Sequence, residues 1–187
     1  MSVRIYGNRA IKTLPGEATR PTSARVREAL FNIWQSRVLG ARWLDLCAGS
    51  GAIGAEALCR GAAEVVGIEK SSAACQVVTE NWQKVAKPEQ QFQVLRGDVV
   101  RQLTQLKTPK ILEGRQFDCV YFDPPYASGL YDPVLAQLTD LLSDRAQVTV
   151  EYSAAYWQPS QLSPEWTIVK EKRYGSTHLV FLSCRAE

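Results

Sequence analysis

One histidine, His178, is all that this 187-residue chain contains, and its five cysteines include no CxxC pair. Zinc-ligand spacing is therefore missing. The cysteines are odd in number, and three lie inside apolar segments where a free thiol acts as a small hydrophobe. The expectation is a protein with neither structural disulfides nor a metal site. No apolar run approaches the length of a membrane span, and the start Met1-Ser2-Val3-Arg4-Ile5-Tyr6 has no hydrophobic leader core, so a cytoplasmic location is expected. Low-complexity segments and fixed-period repeats are also missing.

What is present is ordinary in bulk: 45% hydrophobic and 22% charged residues, enough for one α/β domain with a modest appendage. The net charge of +3 hides an asymmetry. Residues 1–37 carry seven basic and two acidic side chains, a net of +5, which leaves −2 for the remainder. A basic end on a slightly acidic body points to a polyanion bound at that end, although a solvated basic surface gives the same count.

Residues 3–6 and 10–14 have the pattern of two short strands around Gly7-Asn8-Arg9, with Pro15-Gly16 closing the unit. Thr22 or Ser23 can cap a helix carrying Val26, Leu30, Ile33 and Trp34 at helical spacing and ending at Gly40. Strands and helices then alternate. Strands are expected at 43–47, 65–68, 92–95, Phe117–Phe122 and 148–152. Helices are expected at 51–59, from Ser71-Ser72 through Val85, near Val99–Leu106, and over 133–142, with a loop at 109–114. The tail, 166–172 and 177–182 about Tyr174-Gly175-Ser176, has the pattern of an antiparallel pair. Such alternation implies a doubly wound, mostly parallel sheet that binds ligands at the carboxyl ends of its strands.

The chemistry-bearing motifs all fall at such ends. Leu44-Asp45-Leu46-Cys47-Ala48-Gly49-Ser50-Gly51-Ala52-Ile53-Gly54 places GxGxxG at a strand-to-helix turn, where glycines allow close ligand approach to backbone amides. Glu69 ends the next strand, near the ~20-residue offset expected of a ribose-binding acid. Asp45 separates two cofactor classes: it opposes a pyrophosphate but attracts the ammonium and sulfonium of S-adenosylmethionine. The plainer alternative is an acid that hydrogen-bonds the helix backbone. Asp98, after Gly97, is placed to accept from an adenine amine or simply to cap a helix.

Asp123-Pro124-Pro125-Tyr126 closes the strand Phe117–Phe122. Two prolines stop the sheet ladder, leaving a rigid polar clamp with an aromatic beside it; a bare Pro-Pro turn is the alternative. Opposite a methyl donor, the Asp123 carboxylate and Pro124 carbonyl can each accept one N–H of a nucleobase amine. The nitrogen lone pair is thereby turned toward the electrophile. Tyr126 can stack on the base, worth ~1–3 kcal/mol, once the base has left its own stack.

The ordered pair 45–54 and 123–126, preceded by Arg20-Pro21-Thr22 and Arg25-Val26-Arg27-Glu28-Ala29-Leu30-Phe31-Asn32 and followed by Tyr174-Gly175-Ser176-Thr177, resembles the RsmD-type methyltransferases. The resemblance covers nearly the whole chain. It implies a class I, Rossmann-like fold with a seven-stranded sheet, its last strand antiparallel, and a small N-terminal β-hairpin plus helix. It implies S-adenosylmethionine as cofactor and the N2 amine of a guanine in small-subunit (16S) ribosomal RNA as target. The expected division is an N-terminal extension over 1–22 and a methyltransferase domain over 23–187. The cofactor set becomes Asp45, Ala48, Gly49, Ser50 and Gly51, with Glu69, Asp98 and Val99. The guanine clamp is Asp123, Pro124, Pro125 and Tyr126, and the RNA contacts are drawn from Arg4, Arg9, Lys12, Arg20, Arg25 and Arg27.

One departure bears on the RNA: where the family hairpin commonly carries Gly-Gly and a Lys-Gly-Arg-Lys cluster, this chain has Gly7-Asn8 and Lys12-Thr13. A DNA adenine-N6 methyltransferase shares the clamp chemistry but usually adds a base-reading domain. A nicotinamide dehydrogenase conflicts with Asp45 and the prolines, and a non-catalytic RNA-binding module would not need intact motifs. The expected partner is ribosomal RNA, free or in an assembling subunit, and the expected state is a monomer.

Overall fold

The computed structural model describes residues 2–14, 23–108 and 116–184. Pro15-Gly16, Arg20, Thr22 and the loop at 109–114 lie outside the described residues. Strands β1 (Ser2–Ile5) and β2 (Arg9–Lys12) form an antiparallel hairpin through a tight turn at Tyr6–Asn8. Helix α1 (Ala24–Ile33) starts at Ser23, whose Oγ accepts from the Val26 amide at 3.3 Å. It ends seven residues before Gly40, because Trp34 leaves helical geometry to fold under the sheet.

The body then alternates β3 (Arg42–Leu46), α2 (Ala52–Cys59), β4 (Glu64–Glu69), α3 (Ser72–Val85), β5 (Gln91–Arg96), α4 (Val99–Leu106), β6 (Phe117–Phe122), α5 (Tyr131–Leu138), β7 (Leu142–Tyr152), β8 (Trp166–Tyr174) and β9 (Thr177–Cys184). Ser71 caps α3 by accepting from the Ala74 amide, as its sequence position suggests. Helix α5 is offset from its expected span. It begins at Tyr131, with Pro133 in the first turn where no intrahelical N–H is needed, and it gives way to a 3₁₀ turn at Thr139–Leu141. Strand β7 therefore starts at Leu142, not near Val148, and runs for eleven residues.

The seven strands of the main sheet lie in the order β5-β4-β3-β6-β7-β9-β8. Strands β3 to β7 are mutually parallel, and β9, the last in the chain, runs against both of its neighbours. Alternation along each strand feeds two cores. Leu44 and Leu46 of β3, with Val120 and Phe122 of β6, pack toward α4 and α5. Trp43 and Tyr121 point the other way, toward α1, α2 and α3.

The hairpin belongs to that second core. Ile5 and Ile11 are 5% and 1% exposed, each worth about 1.5–3 kcal/mol on burial. Asn81 of α3 fastens it further. Its Oδ1 accepts from the Lys12 amide at 2.8 Å, and its Nδ2 donates to the carbonyls of Lys12 and Ser50, each at 2.9 Å. Among the described residues, no helix is long and apolar enough to cross a membrane.

Candidate active site

The crevice at the carboxyl ends of β3, β4, β5 and β6 collects four acids. β3 delivers Asp45, β4 Glu69, β5 Asp98 and β6 Asp123. Their loops are laced together by backbone bonds. Ala48 N donates to Ile68 O at 3.1 Å, Gly97 N to Glu69 O at 2.9 Å, and Asp123 N to Leu46 O at 3.4 Å. Cys47 leaves β3 with φ of 62°, a left-handed conformation that turns the chain sharply into the glycine loop.

Asp45 is 2% exposed, and its Oδ2 accepts from the Gly54 amide at 3.0 Å. The plainer sequence alternative, an acid bound to the helix backbone, is thus realised, with Oδ1 remaining on the same carboxyl. Burial, partly offset by the Gly54 bond and reinforced by the charge of Glu69, pushes the Asp45 carboxyl up to about 8. Glu69 bridges two loops: Oε2 accepts from Gly49 N at 2.9 Å and Oε1 from Ser71 N at 2.8 Å. Asp98 is exposed and caps α4, with Oδ1 accepting from Arg101 N at 3.1 Å. The Cys47 thiol is pushed up first by burial and then by the charges of Glu69, Asp123, Asp45 and Asp98. All four acids act on one point, and the thiol stays protonated there.

The glycines divide their labour. Gly49, at φ of 57°, has open space where a Cβ would stand, its nearest neighbour being the Cys47 carbonyl at 4.0 Å. Gly51 and Gly54 instead make room for Trp82. A Cβ would come within 2.8 Å of Trp82 Nε1 at Gly51 and within 2.2 Å of Cζ2 at Gly54. Trp82 Nε1 also donates to Gly51 O at 2.8 Å. Ala48 is half-buried, Ser50 buried, and Val99, the first residue of α4, is buried in the core.

Beside the loop stands the clamp. Pro124 is buried and Pro125 exposed, and the Pro125 carbonyl closes a turn by accepting from Ser128 N at 2.9 Å. The half-buried Tyr126 donates its hydroxyl to Glu151 Oε1 at 3.2 Å and lies 3.4 Å from Thr177 Oγ1. Burial first, and then the charges of Glu151 and Asp123, push that hydroxyl up to about 12. Glu151 did not emerge from the sequence. The available signal was an acid between Val150 and Tyr152, next to the end of an expected parallel strand as Glu69 and Asp123 are.

The basic residues separate. Arg4, Arg9, Lys12 and Arg25 are exposed, and the Arg25 guanidinium lies 5.7 Å from the ring centre of Tyr174, the residue paired with Thr177 across the β8–β9 turn. Arg9 bonds Cys59 Sγ, at the end of α2 remote from the glycine loop, whereas Lys12 lies near the loop and pairs with Glu80. Arg27 is a correction. It is 2% exposed, with Nε on Glu56 Oε2 at 2.9 Å and Nη2 on the Arg4 carbonyl at 2.7 Å. Its partner is distant in sequence, 29 residues along the chain, and burial on that partner leaves it no face for RNA. Arg20 lies outside the described residues.

The fold and the strand-end site define the class I S-adenosylmethionine-dependent methyltransferases. The residues present suit that cofactor: the open Gly49 stands beside Glu69, whose Oε2 accepts from its amide, and acids gathered at the ends of β3 to β6 accommodate a ligand bearing positive charge. Among the described residues, no group of three or more His, Cys, Asp or Glu is arranged to hold a metal. A family model described as Conserved hypothetical protein 95 matches residues 3–183. Ribosomal RNA small subunit methyltransferase D of Escherichia coli K12 is 32% identical over 179 residues, covering 92% of this chain and 85% of that protein. Putative rRNA methyltransferase YlbH of Bacillus subtilis is 29% identical over 171 residues, 90% of each. A solved structure, the putative methyltransferase yhhF from Escherichia coli, superposes over 100% of both chains with a TM-score of 0.82 and 30% identity. This chain belongs to that family, the RsmD-type methyltransferases, and its cofactor is S-adenosylmethionine.

Proposed function

We propose that this protein methylates the exocyclic N2 amine of a guanine in small-subunit ribosomal RNA. One observation carries the reading: the Asp123-Pro124-Pro125-Tyr126 clamp leaves β6 next to the cofactor loop of β3, tied to it through Asp123 N and Leu46 O. The relatives named for small-subunit ribosomal RNA support the choice of substrate.

On this reading Asp45, Gly49, Glu69 and Asp98 hold the cofactor, which when bound supplies an electrophilic methyl group. The Asp123 carboxylate and Pro124 carbonyl accept the two amine hydrogens, and Asp123 stabilises positive charge as it builds on the nitrogen. Tyr126 carries the base on its ring, Pro124 and Pro125 keep the clamp stiff, and the surrounding acids suit the cationic cofactor. Substrate RNA lies along the hairpin extension over 1–22, using Arg4, Arg9 and Lys12, and reaches the clamp past Arg25, on a methyltransferase domain over 23–187. Exposed cations of this kind contact phosphates and position the RNA. The protein acts as a monomer in the cytoplasm, on free RNA or on an assembling subunit.

The test is nucleoside mass mapping of ribosomal RNA from cells lacking the protein, followed by in vitro methylation of that RNA. Wild-type protein should restore N2-methylguanosine, and Asp123→Ala should not, while still binding S-adenosylhomocysteine. Methylated adenine as the product, or Asp123→Ala with normal turnover, overturns the reading.

A further inference from the structure

We infer that Glu151 is the positioning residue for Tyr126: its buried carboxylate holds the hydroxyl of the clamp tyrosine and so fixes the plane on which the target base lies. This rests on the guanine-amine reading above and extends it to a residue outside the clamp motif.

Glu151 lies next to the end of β7, the strand beside β6, and is 6% exposed. Its Oε1 accepts from the Tyr126 hydroxyl at 3.2 Å, and its Oε2 accepts a short bond from the Tyr121 hydroxyl. Tyr131 of α5 donates to its main-chain carbonyl at 3.4 Å. Hydroxyls from β6, from the loop after it and from α5 thus converge on one residue. Since the Tyr126 hydroxyl donates to Glu151, its contact with Thr177 Oγ1 on β9 has the threonine as donor. Tyr126 is therefore held from two strands, in a donor–acceptor order that leaves its hydroxyl satisfied on both sides.

Packing alone does not require this arrangement. Apolar side chains in these places would fill the volume with no polar atom to satisfy, whereas a buried carboxylate is tolerated only when its lone pairs are taken. What the carboxylate adds is orientation. The ring of Tyr126 hangs from the chain after two prolines, and tethering its far end removes the swing left in its side-chain torsions. An amine held in near-attack geometry tolerates little misplacement, so a fixed stacking surface acts on the rate more than on RNA affinity. Burial and the nearby acids keep the Tyr126 hydroxyl protonated, so it remains a donor to Glu151 across the physiological range.

Glu151→Met, of similar length but with no oxygen to accept the hydroxyl, and Tyr126→Phe remove the tether from opposite ends, the second without touching the buried carboxylate. Full-length variants and their double mutant should be assayed for methylation of ribosomal RNA and for S-adenosylhomocysteine binding by calorimetry. Each single change is expected to lower kcat about tenfold, the fold-change of one hydrogen bond to a charged acceptor, with KM for RNA and cofactor affinity unchanged. The double mutant should lose no more than either single, because both remove the same bond. Full activity in Tyr126→Phe, or losses that multiply in the double mutant, overturns the tether. If wild-type protein forms no N2-methylguanosine, the substrate reading fails; if it does, the variants judge the tether alone.

Discussion

S-adenosylmethionine should bind this protein more tightly as the pH rises through the range just below neutrality, and the cause is Asp45. Its carboxyl titrates at about 8, against an ordinary value of 3.8, because burial removes water from the charged form and Glu69 adds like charge. At pH 7 about one molecule in ten carries the ionised group before ligand arrives. A ligand that engages the carboxylate must first displace the proton, which costs about 1 kcal/mol at pH 7 and about 3 kcal/mol at pH 6. Affinity should therefore improve by roughly tenfold per pH unit, or about 30-fold between pH 5.5 and 7, below the range where the ligand's own amine titrates. Calorimetry in buffers of different ionisation enthalpy should count close to one proton released per ligand bound at pH 6.5. Asp45→Asn should flatten the dependence.

The same shift has a stability consequence of fixed sign. A carboxyl whose folded value is raised keeps its proton longer in the native state, so the stability linked to it is present in acid and lost as pH climbs from about 4 to about 8. Asp45→Asn, which retains an oxygen for the Gly54 amide, should gain stability over wild type at pH 8, by up to about 5 kcal/mol, and none at pH 3.5. Cofactor affinity that is flat across pH 5.5–7, or binding with no proton released, refutes the reasoning.

Two further changes test the frame around the site. Arg27→Met should destabilise the fold by about 3 kcal/mol in urea denaturation, because Glu56 is left buried with Arg60 as a remaining partner and the Arg4 carbonyl loses its donor. Gly54→Ala should lower Tm, since a methyl group would stand 2.2 Å from Trp82 Cζ2; the cost is about 1–3 kcal/mol, and a shifted Trp82 fluorescence should accompany it.

What the sequence revealed about the fold and site is governed by range. Strand ends, the Ser71 cap and the two motif loops are set by residues adjacent in the chain, so they can be read locally. The identity of Arg27 cannot be read that way: on a helix beside Glu28 it has the pattern of a surface cation, and its true partner, Glu56, is brought to it only by packing of α1 on α2. Glu151 is hidden for the same reason, since its tyrosines lie 25 and 30 residues away. The two later glycines of the cofactor loop show a subtler form. Their residue type was legible, but its cause is a tryptophan two elements downstream as well as a ligand.

That tryptophan and its neighbour explain why the hairpin and the cofactor loop form one assembly. Consecutive residues of α3 bond to them: Asn81 to the carbonyls of Lys12 and Ser50, and Trp82 to the carbonyl of Gly51. Both side chains are buried, at 2% and 0% exposure, so water does not compete for these bonds. From the other side Arg27 ties the Arg4 carbonyl to Glu56 of the helix that follows the loop. The hairpin is therefore fastened at both strands to the elements that shape the glycine turn. On the function proposed above, RNA bound to its exposed cations is held in a fixed relation to Gly49, which is what methyl transfer to one chosen amine requires.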